Sequence, residues 1–234
     1  MIPFFIDLAV IGTVAFCGWR GFKNGLIRGV FGVIALLFSL FLANVAAQAY
    51  SSDAADMLMP FIGGMVESSK ADMSDEGIEY QPLAHDHENE EENFGIAYNV
   101  LRFLGLPEAS AVHIAEESLE IEDNEQERTF SDIIARRLSS TLAYVAVFGI
   151  AFLLVAIVFA VVGNLVGFVF ALPGLKLVDM ISGTVFGLLK GLIIVYTVAV
   201  IIRYFGLLIN STLEETTILR YIVNNNPIAT ILGI

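Results

Sequence analysis

Charge is scarce in this chain of 234 residues: Asp, Glu, Lys and Arg together make up only 16% of it, against about 25% in ordinary soluble domains. Basic residues are the scarcer kind, 12 against 25 acids for a net charge of −13, which excludes the basic surface that a nucleic-acid binder needs. A single cysteine, Cys17, allows no intramolecular disulfide and leaves the redox compartment open. Histidine is limited to His85, His87 and His113, none of them within the apolar stretches. The chain also lacks H-E-x-x-H, G-x-S-x-G and a Gly-rich phosphate loop following a strand, so no nucleophile, metal or acid–base constellation is assembled. No catalytic residue, cofactor or resident metal is expected, and the chain reads as a non-enzyme. Disorder requires low hydrophobicity and is excluded by a hydrophobic content of 56% and a mean hydropathy of +0.76.

What the chain has instead is long apolar runs. Crossing the hydrocarbon core takes about 20 apolar residues as a helix, and four stretches qualify: Ile2 to Trp19, Leu26 to about Tyr50, Leu138 to Leu172, and Ile181 to Ile202. They lack β-type alternation, and backbone groups in lipid must be satisfied internally, so helices are predicted. The third run would exceed about 50 Å as one helix, so Gly163–Gly167 and Pro173-Gly174 are expected to end or bend it. The first run lacks a basic leader and ends in Arg20-Gly21-Phe22-Lys23 rather than a small-residue cleavage site, which predicts a retained segment and not a signal peptide. The fold class is all-α: a polytopic membrane protein with four transmembrane helices in two parallel-repeat hairpins and a helical acidic insert.

Charge is unevenly divided. Residues 51–138 hold 21 of the 25 acids and 5 of the 12 bases, a net −16, and the remainder is +3. The expected organisation is a first hairpin over 2–50, an acidic insert over 51–138 with a linker at about 67–93, a second hairpin over 139–209, and an amphipathic C-terminal tail over 210–234. Arg20, Lys23 and Arg28 lie between the first two spans, and Lys176 and Lys190 lie at the start of the fourth. The positive-inside rule puts these loops in the cytoplasm, so both termini and the acidic insert face outward. Arg136-Arg137, beside the third span, runs against that assignment, though acidic neighbours offset the pair.

The second and fourth runs open on one phrase: Gly21, Gly25 and Gly29 with Arg28, against Gly183, Gly187 and Gly191 with Lys190. Glycines four apart give a smooth helix stripe on which another backbone can lie. The cations are read first as snorkelling to headgroups, with a buried functional cation as the sharper alternative. Asp7 and Asp179 are intramembrane or interfacial carboxylates. Helix capping or interface anchoring is the favoured role, and pairing with Arg20 or Lys190 the sharper one.

These residues in this order resemble the bacterial colicin V production protein (CvpA) family: Asp7 in an apolar run, Arg20-Gly21-Phe22, then Asp179 before Gly183-x3-Gly187-x3-Gly191. The segment from Thr217 to Pro227 is similar to the ending of longer, Gram-positive-type members, and Leu106-Pro107 before an acidic stretch is similar to their enlarged middle loop. The resemblance covers about residues 2–50 and 138–230; residues 68–93 match nothing. It implies a multi-pass protein of the bacterial inner or plasma membrane, tied to colicin V (toxin) production and export, with no catalytic chemistry and no active site to carry over.

Within the acidic insert, Ile96, Val100, Leu101 and Leu104 recur at helical spacing, Gly105-Leu106-Pro107 breaks that helix, and further helices are expected over Glu108 to Leu119 and from Ser131. Acidic amphipathic helices suit packing on protein better than lying on anionic lipid. His85-Asp86-His87-Glu88 offers metal-ligand types, but a solvated linker is the favoured reading. The function expected is a membrane accessory or scaffold protein of the bacterial envelope, touching lipid and other envelope proteins or self-associating through its glycine faces. The alternative is a small oligomeric channel or transporter.

Overall fold

The computed structural model describes residues 2–75, 90–119, 130–166, 176–205 and 216–232. Among these the regular elements are all helices: α1 (Ile2–Asp75), α2 (Glu90–Phe103), α3 (Glu108–Leu119), α4 (Phe130–Val166), α5 (Lys176–Phe205), α6 (Ile218–Asn224) and α7 (Pro227–Leu232). Three are long and apolar enough to cross a membrane, over Pro3–Ser69, Ser131–Gly163 and Leu177–Tyr204. The His85–Glu88 cluster and the Pro173-Gly174 break lie outside the described residues.

The first two apolar runs fall in one helical element of 74 residues, which would be about 110 Å long if straight, several times the hydrocarbon thickness. It is not straight. Gly25 has φ 78° and ψ 178°, a non-helical joint between two helical arms. Only glycine takes that conformation without strain. The loop expected around Arg20–Arg28 therefore shrinks to Gly25 alone, because nothing from Arg20 to Asn24 breaks a helix. The second arm continues past Tyr50 to Asp75, so helix also covers residues 67–75, and α2 covers 90–93. Their polarity predicts linker, but polar residues do not by themselves oppose helix: Glu67, Lys70, Ala71 and Met73 favour it among the intervening Ser and Asp. The centre of that linker lies outside the described residues.

Two compact units divide the chain. Unit 1 comprises Met1–Ala47, Val147–Ile201 and Ser211–Leu232, and unit 2 comprises Gln48–Ala146, Ile202–Asn210 and Gly233–Ile234. In unit 1, α5 runs opposite to the first arm: Gly183 meets Gly21, Gly187 meets Cys17, and Gly191 meets Val14. It runs with the second arm, since Gly29 faces Gly183 and Phe186 while Gly32 faces Lys190. The two arms are thus antiparallel and fold back at Gly25. Helix α4 lies antiparallel to the second arm, with Gly163 on Phe31 and the Phe159 ring 6.4 Å from that of Phe38.

Unit 2 is packed by ordinary apolar side chains. Ile62, Val66, Leu101, Leu106, Ile114 and Ile133 are buried. The turn between α2 and α3 is a Schellman motif: Leu106 N–H donates to the Leu101 carbonyl at 3.1 Å and Gly105 N–H to that of Arg102 at 2.9 Å. Gly105 supplies the left-handed φ of 89° that this motif requires, and the buried pair Leu101 and Leu106 supplies its apolar contact.

Candidate functional site

Unit 1 is held together where its backbones touch. A methyl group built on Gly21 would overlap the Gly183 carbonyl and lie 2.9 Å from the Gly187 Cα; one on Gly191 would lie 2.9 Å from the Val14 Cα. No larger residue fits these positions without moving main chain. The glycines that read as two separate stripes are therefore one interface, spent inside the chain. The register of the presumed repeat also fails at its centre: Gly25 is the joint and Gly187 is helical. Gly21 and Gly29 consequently sit on different arms.

The two carboxylates of the apolar runs each take up main-chain N–H groups at the start of another helix. Asp179, in the first turn of α5, accepts from Leu26 N–H at 2.7 Å and packs against Gly25. It caps the second arm immediately after the joint. Asp7 accepts from Thr217 N–H at 2.9 Å and from Ile218 and Leu219 N–H, each at 3.1 Å, capping α6 across the unit. Helix starts carry orphan donors and partial positive charge, which is what an ionised carboxylate satisfies. Among the described residues neither Asp pairs with Arg20 or Lys190. Nearby, Asn226 accepts from Ile228 N–H at 3.0 Å and donates to the Tyr196 carbonyl at 2.8 Å. That fixes α7, which opens on Pro227 as helix starts favour.

Arg20, Arg28 and Lys190 converge on a cavity of about 380 Å³ within unit 1. Arg20 comes from the first arm, Arg28 from the second and Lys190 from α5, with Cys17, Asn24 and Ser39 as the other polar lining. Gly21, Gly29, Gly32, Gly163 and Gly187 also line it, and its apolar wall includes Phe31, Leu36, Phe159 and Ile194. Leu36 stands about 12 Å beyond Arg28 along the second arm at 1.5 Å per residue, so the lining passes from cationic to largely apolar, with Ser39 at its far end. Among the described residues no carboxylate lines it. Lys190 is half-buried, its side chain beside Gly32. Lys23, by contrast, lies over the Trp19 ring at 3.9 Å, on exposed surface.

A further buried cation lies in unit 2. Arg203 Nε donates to Ser110 Oγ at 3.0 Å and its Nη2 to the Ala109 carbonyl at 2.9 Å. Sequence reading missed this contact, the N–H donors to Asp7 and Asp179, and the positions of Gly32 and Gly163 in the lining. Local spacing carries no signal for partners some 93 to 212 positions apart. No group of three or more His, Cys, Asp or Glu among the described residues is placed to hold a metal.

The sequence profile of the colicin V production protein family matches residues 127–227. That span takes in α4, α5 and α6, hence Asp179, Gly183, Gly187, Lys190 and Gly191, and it leaves out Asp7, Arg20, Gly21, Gly25, Arg28 and Gly29. No curated protein and no solved structure matches the chain.

Proposed function

We propose that this chain, a membrane protein with a colicin V production family domain at residues 127–227, is an accessory or scaffold protein of the bacterial inner or plasma membrane. The two arms of α1, together with α4 and α5, make four crossings as two hairpins of like direction. The end bearing Arg20, Lys23 and Arg28 faces the cytoplasm, with the Trp19–Lys23 pair at the headgroups. Both termini and the acidic stretch 51–138 face outward, where a net −16 suits docking of basic envelope proteins. The glycine faces being used internally, partner contacts fall to the acidic segment and to the apolar lipid-side surface.

The observation that carries this reading is the use made of Asp7 and Asp179. A transporter driven by ions or protons keeps its membrane carboxylates on the pathway; here both are bound to main-chain N–H groups that start helices. The test is purification of the full chain with its bound envelope proteins, alongside flux measurement from liposomes holding the chain alone. A complex that dissociates in high salt, with no flux, is the expected result. Sustained ion flux would overturn the accessory reading. For orientation, Lys23→Cys and Lys176→Cys on a Cys17→Ala background should resist an impermeant thiol reagent in intact cells, while Glu90→Cys and Arg220→Cys react.

A further inference from the structure

The cavity of unit 1 holds positive charge without a counter-charge. Arg20, Arg28 and Lys190 line it, no carboxylate among the described residues does, and the acids nearest in chain order or packing are already bound to N–H groups: Asp179 to Leu26 and Asp7 to α6. Arg20 and Arg28 are exposed and Lys190 is half-buried; like charges gathered round one cavity repel one another, and an anion held between them offsets that repulsion. Two guanidinium groups and an ammonium, contributed by three helical segments, form the donor set that binds a phosphate: planar forks for paired oxygens and a point charge beside them. The volume, about 380 Å³, lies within the range of small-molecule sites, about 300–1,000 Å³. Farther along the second arm the lining becomes apolar, with Leu36, Phe159 and Ile194.

We propose that this cavity binds the phosphate of an anionic phospholipid, its head between Arg20, Arg28 and Lys190 and an acyl chain along Phe31 and Phe159. Phosphate is the shared chemistry, and the graded lining selects a lipid over a free ion: a water-borne phosphate would leave the apolar end empty. The glycines at Gly32 and Gly163 are part of the site. A methyl on Gly32 would meet the Lys190 side chain at 3.4 Å, and one on Gly163 the Phe31 ring at 2.8 Å. The inference rests on unit 1 lying in the bilayer and is independent of the accessory role.

The chain carries its own reporter, since its only cysteine, Cys17, lines the cavity. Full-length protein in neutral detergent is titrated with phosphatidylglycerol, phosphatidylcholine or inorganic phosphate, and the rate of Cys17 labelling by a maleimide is followed with the thermal midpoint. Phosphatidylglycerol should slow labelling and raise the midpoint, phosphatidylcholine and inorganic phosphate should do neither, and Arg20→Gln or Arg28→Gln should each weaken the effect roughly tenfold. Lys190→Met should weaken it as well, and its folding is checked by an unchanged helical spectrum. Protection by inorganic phosphate alone would overturn the lipid as the source. Equal protection by phosphatidylcholine, or full protection in the Arg20→Gln/Arg28→Gln variant, would overturn the site. Extraction of the protein from membranes by alkaline carbonate would instead break the bilayer placement, a failure seen before any lipid is added.

Discussion

Unit 1 and unit 2 are both all-helical, yet they are packed by opposite means. In unit 1 the closest contacts are made where side chains are missing, Gly21 on Gly183 and Gly187 on the first arm, and its acids serve as caps on other helices' first turns. In unit 2 the contacts are made by Leu101, Leu106, Ile114 and Ile133, and the α2–α3 corner is closed by its own backbone. With unit 1 in the bilayer and unit 2 in water, as proposed, the difference follows solvent. Apolar burial drives association in water, but lipid tails are as apolar as leucine, so helices in a bilayer gain chiefly from close van der Waals fit and from polar groups that find each other.

If that contrast is correct, adding atoms breaks unit 1 and removing atoms breaks unit 2. Gly21→Ala, whose new methyl has only main chain to displace, should cost about 3 kcal/mol, read as early Cys17 exposure on heating. Leu101→Ala should cost about as much, in the range of about 2–5 kcal/mol for emptied cores, and hydrogen exchange should rise in α2 and α3 peptides. A Gly21→Ala protein as stable as the parent would end the comparison. Next come the caps. Asp7→Ala removes a charged acceptor of three N–H groups and should cost about 2 kcal/mol, with exchange rising first at residues 217–219. Asp179→Ala should act similarly at Leu26. A smaller loss, about 1 kcal/mol, is expected for Ser110→Ala, seen as a lowered thermal midpoint, because Arg203 keeps its bond to the Ala109 carbonyl. Smallest of all are Gly12→Ala in unit 1 and Gly63→Ala in unit 2. Nothing lies within 4 Å of either new methyl, so both should gain up to about 1 kcal/mol of helix propensity or show no change in midpoint.

Legibility in the sequence followed the range of the interaction. The helix over Glu108–Leu119 was readable from its own residues and has those bounds, as was the break at Gly105-Leu106-Pro107, because capping and turn chemistry act within a few positions. The glycine periodicity was equally plain, but not its partner: four-residue spacing announces a smooth face without naming the helix that lies on it. Gly25 was misread for a related reason. In a list of glycines it continues a stripe, and only its φ makes it the joint between arms. Capping was the favoured role for Asp7 and Asp179, yet the caps are made across the fold and not locally. That Lys190 and Arg28 line one cavity was not legible, since a single cation in an apolar run gives no sign of a space built from three segments.

By itself the sequence determined that this is a helical membrane protein, where α2 gives way to α3, and that its net negative charge belongs to residues 51–138. Composition and local periodicity decide those matters, because they depend on the medium and on neighbours within a turn or two. Only the tertiary structure decided that the two glycine sets meet each other, that the membrane acids cap distant helices, and that Arg20, Arg28 and Lys190 share one cavity. Each of these joins residues far apart in the chain. In a bilayer, where apolar burial is nearly indifferent to which helix meets which, such pairings are chosen by close fit and hydrogen bonding.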